Sequence, residues 1–291
     1  MTSSVGIGII THNRKDAVRV TIERVRRHTQ EPGAVMVVAD DGSSDGTAEM
    51  LCDMRVPVVT GVRMGVAWNK NRALFLLCQI LQCESAILLE DDTCPSAPGW
   101  EQPWMQAVAR WGHVNFAPPF YDEQFIVSGA GTPDDPLLSK IVTAQCSAFS
   151  ATAIAYGGYY DSRFQGFGHE HVEHTRRLVR IGYGGTDRRV DGVEEVRWRM
   201  LRGDLEMQQV PSTVNAEELQ RNWTLAQTLM ATEGYRAPWQ TDQEMRQFRD
   251  EIDGAMVDGP DRFLIRPRGR QPDSPPAVTR QGILARWFKR A

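Results

Sequence analysis

The sequence predicts an α/β protein built on a mostly parallel, doubly wound sheet. Strand and helix patterns alternate up to Glu90, the strand patterns are short continuous apolar runs, and their carboxyl ends are polar. Continuous apolar runs are what a parallel sheet buries on both faces. Val5 to Thr11 is apolar and β-rich. Asp16 to Thr29 carries Val18, Ile22 and Val25 at helical spacing. Val35 to Ala39 is the second strand run. Ser44 to Met54 opens with capping residues and predicts a helix. Val56 to Thr60 and Ala86 to Leu89 are further strands, with a longer helix over Val66 to Gln82 between them. This order implies right-handed crossovers, and in such sheets ligands bind beyond the carboxyl ends of the strands. Those ends carry Thr11-His12-Asn13-Arg14, Asp40-Asp41-Gly42-Ser43 and Glu90-Asp91-Asp92.

Beyond Glu90 the pattern is less regular. Trp100 to Trp111 predicts a helix. His113 to Phe116, Phe125 to Ser128 and Gln145 to Ser150 predict strands, Thr152 to Tyr156 predicts a turn or helix, and His169 to Ile181 predicts a helix. Polar helical stretches follow at Ala216 to Thr232 and Thr241 to Ala255. Arg266 to Pro276 is a Pro/Arg-rich linker, and Gln281 to Arg290 can form a short amphipathic helix. The chain thus divides into a domain at 1–210, a helical extension at 211–265, and a linker and tail at 266–291. No internal repeat is visible.

The composition, 41% hydrophobic and 24% charged, is that of a globular protein. A formal net charge of -4 excludes a global basic field for nucleic acid. The longest apolar run, from Ala73 to about Cys78, is far short of the ~20 residues of a membrane span, and no signal peptide is visible. Five cysteines without Cys-x-x-Cys pairing predict reduced, buried thiols and a cytoplasmic protein. Ile283, Leu284, Trp287 and Phe288 in the tail permit peripheral contact with an anionic membrane.

Four constellations carry chemistry. The acids Glu90, Asp91 and Asp92 repel one another unless a cation or donor neutralises them. Mg²⁺ or Mn²⁺ takes oxygen ligands and shares them with a nucleotide diphosphate; the plainer alternative is a solvated capping loop. In the second, Asp40 and Asp41 end a strand, where a carboxylate can accept from a uracil imino group or ribose hydroxyls. Gly42 permits the tight turn, and Ser44 to Thr47 is simply turn and cap. In the third, Gly65 opens a helix carrying Lys70 and Arg72, with Arg63 just before it. A helix N-terminus with nearby cations suits a phosphate, although exposed Lys and Arg are common on helices. The fourth, Phe164 to His174, holds three of the six histidines behind glycines that allow close approach to a ligand. His171 and His174 share a helix face, as do Glu170 and Glu173. Histidine here is a metal ligand or a proton acceptor. His-Glu-His-Val-Glu-His is not the His-Glu-x-x-His zinc pattern, and a surface histidine cluster is the alternative. Trp100, Trp104 and Trp111 could stack on sugars, but the spacing of the last two favours the core.

Taken together, these residues resemble the family 2 inverting glycosyltransferases of the GT-A fold. Ile9 to Arg14, Val38 to Thr47, Gly65 to Arg72, Leu88 to Asp92, Gly157 to Phe164, and Gly168 to His171 with Arg177 match the family's segments in chain order. The resemblance covers about residues 5 to 185. It implies a Rossmann-like, mostly parallel sheet flanked by helices, with a helical C-terminal extension. It also implies a soluble enzyme that transfers a glycosyl group with inversion from a nucleotide sugar, by default a UDP-sugar. Thr11, His12, Asn13, Arg14, Asp40, Asp41, Gly42, Arg63, Gly65, Lys70 and Asp91 would bind that donor. Glu90 and Asp92 stand where the family's DxD motif holds Mn²⁺ or Mg²⁺. The family's usual base is the Asp of a Glu-Asp pair. That position is His171 here, so Glu170 or His171 is the base, and His171 is also a candidate metal ligand. The acceptor is a glycan, lipid-linked carrier, protein or modified base. Two other readings remain: a nucleotidyltransferase, against which the glycine-free Thr11 to Arg14 loop argues, and a non-catalytic nucleotide-sugar or carbohydrate binder.

Overall fold

The computed structural model describes residues 4–211, 215–231, 234–255 and 264–265. Strand β1 (Val5–Thr11), β2 (Val35–Asp40), β3 (Val58–Thr60) and β4 (Ser85–Glu90) alternate with helices α1 (Lys15–His28), α2 (Thr47–Asp53) and α3 (Val66–Phe75). The last helix runs on into a π turn over Leu76–Ile80. Then come β5 (Thr93–Pro95), α4 (Glu101–Trp111), β6 (His113–Phe116), β7 (Ile126–Ser128), β8 (Leu137–Ser139), β9 (Cys146–Ser150), α5 (Ala151–Gly157) and α6 (Glu170–Arg180). A hairpin of β10 (Gly185–Val190) and β11 (Val193–Leu201), strand β12 (Leu205–Met207), α7 (Ala216–Met230) and α8 (Asp242–Asp253) complete the order.

Among the described residues the main sheet has ten strands, ordered β3-β2-β1-β4-β9-β6-β11-β8-β7 with β10 on β11. Its first four strands are parallel. β9 then joins β4 antiparallel, β6 and β11 pair in parallel, and β7, β8 and β10 add antiparallel edges. β5 and β12 form a separate two-stranded ladder.

Alternation along β1 assigns the two apolar layers. Val5, Ile7 and Ile9 face α1, α2 and α4 with Val18, Ile22, Leu51 and Trp104. The opposite face carries α3, α5 and α6, and also Ala226 and Leu229 of α7 and Phe248 and Ile252 of α8. Phe248 stands edge-on to Trp68 and to Phe75, ring centroids 5.3 Å apart in each case, a favoured aromatic geometry. Glycine at position 6 is what lets the α3 layer approach: a Cβ there would lie 2.6 Å from Leu77 Cδ2.

The structure revises several sequence expectations. α2 begins at Thr47 rather than Ser44, because Asp45 Oδ1 accepts from the Thr47 N–H at 3.1 Å and Asp45 also holds Lys15 N. Phe125 lies in a 3₁₀ turn ahead of β7. Strands β5, β8, β10, β11 and β12 had no strand signal assigned to them. Trp100 and Trp104 are fully buried and available to no sugar, and Trp111 lies between Arg110 and Arg199. All five cysteines are free thiols, four buried, but Cys52 is exposed. Among the described residues no helix is long and apolar enough to cross a membrane. The linker and amphipathic tail lie outside the described residues.

Polar groups sealed inside the second half of the sheet give it a pH signature. His113 is fully buried, with Nδ1 2.8 Å from Ala148 O and Nε2 within 3.1 Å of Thr175 Oγ1 and 3.0 Å of Asn115 Nδ2. This is the pattern of a neutral ring donating from Nδ1, and burial lowers the imidazole from 6.5 to about 4. The unfolded chain takes up this proton near 6.5 and the folded chain resists until about 4, so stability is lost as pH falls through that window. Denaturant titrations at pH 7 and pH 4.5 will show His113→Gln losing less stability on acidification than the wild type, by up to roughly 3 kcal/mol. Equal losses would contradict this.

Candidate active site

Parallel strands that start together also end together, and that brings the acids to one edge. Thr11 pairs with Asp40, Asp40 with Thr60, and Ile10 with Glu90. The β1, β2 and β4 termini therefore open side by side, and Glu170 at the start of α6 shares Lys70 with Glu90 at the β4 end.

The acidic turn after β4 is held from several sides. Thr11 Oγ1 donates to Asp91 Oδ2 at 2.8 Å. Arg14 Nη1 bridges Asp91 Oδ1 at 3.1 Å and Asp92 Oδ2 at 2.9 Å. The Asp91 carbonyl accepts from Thr21 Oγ1 and Gln208 Nε2, and Gln208 N donates to the Asp92 carbonyl. Burial of Asp91 outweighs its partners and pushes its carboxyl up to about 7. Asp92 keeps partial exposure at the rim.

The β2 terminus is equally occupied. Asp40 is buried and accepts from Thr60 Oγ1 at 2.8 Å and from the N–H and hydroxyl of Ser43. Asn13 ties the same turn to β1, its N–H donating to Ser43 Oγ and its side chain accepting from Ser44 N, while His12 Nε2 lies 3.2 Å from Asn13 Nδ2. Asp41 turns inward and accepts from Met64 N and Gly65 N at 2.8 Å each and from Arg72 Nη1 at 2.9 Å. Asp41 thus anchors the loop before α3. Gly42 packs against the same loop, and Arg63 lies exposed on it.

Helix α3 is polar through its buried middle, Asn69 to Arg72. Asn69 Nδ2 donates to the carbonyls of Thr11 and Ala39, fastening β1 to β2. Asn71 exchanges hydrogen bonds with the Tyr160 backbone. Arg72 is paired with Glu251 of α8 at 2.9 Å, and Trp68 Nε1 donates to the same carboxylate. The N-terminus of α3 is not free for a phosphate, because Val66 N donates to Gly166 O at 3.0 Å. Gly65, at φ +94, has room only for hydrogen: a Cβ would sit 2.5 Å from Gly166 N.

Lys70 is the largest departure from expectation. Its ammonium is 2% exposed and lies 3.0 Å from Glu170 Oε1 and 3.4 Å from Glu90 Oε1, with the Tyr160 ring 5.4 Å away. It cannot serve a diphosphate in this position. The two carboxylates hold the Lys70 ammonium above its ordinary range despite burial. Lys70 in turn holds Glu170 well below the usual carboxylate range, again against burial. Glu90 is raised, burial outweighing Lys70.

The clustered histidines separate. His169 caps α6 with φ +66 and packs on Trp223 of α7 at 5.0 Å. His171 is partly exposed, with Nδ1 3.5 Å from Glu170 Oε1. His174 does not share this setting: it is fully buried between Tyr160 and Phe149, with Nε2 on Gly158 O, and burial lowers it well below 6.5. Glu173 likewise turns in to pair with Arg177.

Among the described residues, no group of three or more His, Cys, Asp or Glu is arranged to hold a metal. Asp92, Glu90 and the rim histidine supply hard oxygen donors and an imidazole at one edge, a partial donor set. A Mg²⁺ or Mn²⁺ ion, which typically takes one or two carboxylates and completes its shell with phosphate and water, fits such a set.

Sequence reading missed Asn69, Asn71, Glu251 and Gln208. The first two sit in the Asn-Lys-Asn-Arg run it took for a solvent-facing phosphate helix. Glu251 and Gln208 are remote in sequence and carry no local signal.

Removing one member of a buried charge set leaves the others uncompensated, at a cost of roughly 3–5 kcal/mol. Lys70→Met will therefore destabilise strongly in urea titration, and adding Glu170→Gln will recover part of the loss. Additive losses in the double variant would contradict the coupling.

Residues 6–121 match the family described as glycosyl transferase family 2. No curated protein matches the sequence. Among solved structures, GalNAc-T7 with UDP, GalNAc and Mn²⁺ is 15% identical with a TM-score of 0.59, over 86% of this chain and 54% of that one. The mannosyltransferase PcManGT from Pyrobaculum calidifontis, in complex with GDP-Man and Mn²⁺, is 16% identical with a TM-score of 0.51, over 68% of this chain and 54% of that one. S. aureus TarS 1-349 in complex with UDP is 12% identical with a TM-score of 0.51, over 88% of this chain and 67% of that one. The chain spans about half the length of the first two. At these identities the likeness establishes the fold, and that fold is GT-A.

Proposed function

From the premise that residues 6–121 form a family 2 glycosyltransferase segment, we propose that the chain transfers a glycosyl group from a nucleoside-diphosphate sugar, by default a UDP-sugar, to an acceptor nucleophile. The observation that carries this is the convergence of Asp40, the Glu90-Asp91-Asp92 turn and the Glu170-His171 helix start on one sheet edge.

In this reading Asp40 and the Thr11 to Arg14 segment receive the nucleoside. Asp92, with Glu90 beside it, would hold Mn²⁺ or Mg²⁺, which when bound offsets charge on the diphosphate leaving group. Glu170 is a poor base: its carboxylate is buried, paired with Lys70 and held ionised far below neutral pH. His171 is the better one. It is partly exposed, and the Glu170 carboxylate 3.5 Å from its Nδ1 is close enough to favour the imidazolium formed when Nε2 takes the acceptor proton. Attack by the acceptor from the face opposite the diphosphate would give inversion. Open acceptor classes are a glycan, a lipid-linked carrier, a protein or a modified base.

The test is transfer and donor hydrolysis with a panel of UDP-, GDP- and dTDP-sugars plus Mn²⁺. Asp92→Asn will abolish metal-stimulated turnover. His171→Ala will lower kcat by ~10²–10⁴, the range for removing a general base, with Mn²⁺ affinity unchanged. Undiminished turnover in Asp92→Asn would refute the scheme, and weakened Mn²⁺ binding in His171→Ala would move that histidine from the proton to the cation. Nucleotide binding without any turnover would favour a non-catalytic binder.

A further inference from the structure

Arg14 occupies an unusual position for a donor-binding residue. Its guanidinium, partly exposed, bridges Asp91 Oδ1 and Asp92 Oδ2 through a single nitrogen, Nη1. The other terminal nitrogen has one long contact, 3.4 Å to the Pro211 carbonyl. The second Asp92 oxygen receives Thr93 Oγ1 at 3.4 Å, so Arg14 is the close partner of the Asp92 carboxylate. Asp91 is additionally fastened by Thr11, and its backbone by Thr21 and Gln208. The Asp91 end of the bridge is therefore built in, whereas the Asp92 end is held by Arg14 and one long Thr93 contact and lies nearer solvent, Asp92 being 14% exposed against 6% for Asp91.

We propose that Arg14 is a stand-in for the divalent cation: it neutralises Asp92 until the cation and a diphosphate arrive together, and then turns to the phosphate. The inference rests on the reading of Asp92 as cation ligand. A guanidinium and a divalent cation are like charges and cannot share Asp92 Oδ2. Pivoting about its Asp91 contact, the freed guanidinium presents Nη2 toward the same edge, and a planar guanidinium is well suited to phosphate oxygens. The consequence is ordered chemistry. The cation alone binds poorly because it must displace Arg14, and a nucleoside diphosphate helps because it supplies both cation ligands and a new partner for Arg14.

The experiment is Mn²⁺ binding to the full chain after EDTA treatment, followed by the electron paramagnetic resonance of free Mn²⁺, without nucleotide and then with UDP. Arg14→Gln removes the charge. Arg14→Lys keeps it but touches one carboxylate at a time. The expected order of Mn²⁺ affinity without nucleotide is Gln, then Lys, then wild type, with Gln about 30-fold tighter than wild type, the size expected at water-like screening when a unit charge some 4 Å from a divalent cation is removed. Because the two variants are ordered against each other, either one that melts cooperatively in EDTA carries the test. Equal or weaker Mn²⁺ binding in the variants would overturn the inference. If UDP nonetheless recruits Mn²⁺ to the wild type and Asp92→Asn abolishes that, the functional reading survives alone. If UDP recruits no Mn²⁺ to the wild type, both fall.

Discussion

The burial of one ammonium between two carboxylates organises this protein. Lys70 reaches from α3 to Glu90 at the end of β4 and to Glu170 at the start of α6. Those contacts join the strand that carries the acidic turn to the helix that carries His171. Burying three charges together is costly, and it persists only when each charge has its partners. The neighbours on α3 repeat the principle with neutral and ionic groups. Asn69 binds the β1 and β2 carbonyls, Asn71 binds the Tyr160 backbone, and Arg72 binds Asp41 and Glu251. Four consecutive polar residues are thus interior, and α3 works as a polar rivet through the active edge.

This arrangement divides the site's residues by task. Asp41, Asn69, Asn71, Lys70 and Arg72 fix the positions of loops and strand ends. Asp92, Arg14 and His171 keep partial exposure and face the open rim. The division explains how a rim with mutually repelling acids can be stable: the rigid inner layer, not the solvent, sets where the carboxylates stand.

Much of the fold was legible in the sequence because parallel strands announce themselves as continuous apolar runs. Val5 to Thr11, Val35 to Ala39 and Ala86 to Leu89 reappear as β1, β2 and β4 within a residue or so at either end. The acids at their ends were legible for the same reason, since a buried strand must release polar residues where it stops. What was not legible depended on distant partners. The Asn69 to Arg72 run looks like a solvated helix face, and only the placement of Glu170 and Glu251 against it shows that it is buried. Strand β8 is only three residues long, and β10 and most of β11 are polar and exposed or part-exposed, so no continuous apolar signal marked them. His171 and His174 shared a helical spacing, yet the ring of His174 is drawn into the core by Tyr160 and Phe149.

In the proposed function one sheet edge receives the nucleotide and the cation side by side. A crystal structure of the full chain grown with UDP and Mn²⁺ tests it most directly. Mn²⁺ will be coordinated by Asp92 and the diphosphate, with the uridine beside Asp40 and the Thr11 to Arg14 segment. Nucleotide or Mn²⁺ bound away from that edge, with Asp92 still paired to Arg14, would contradict it.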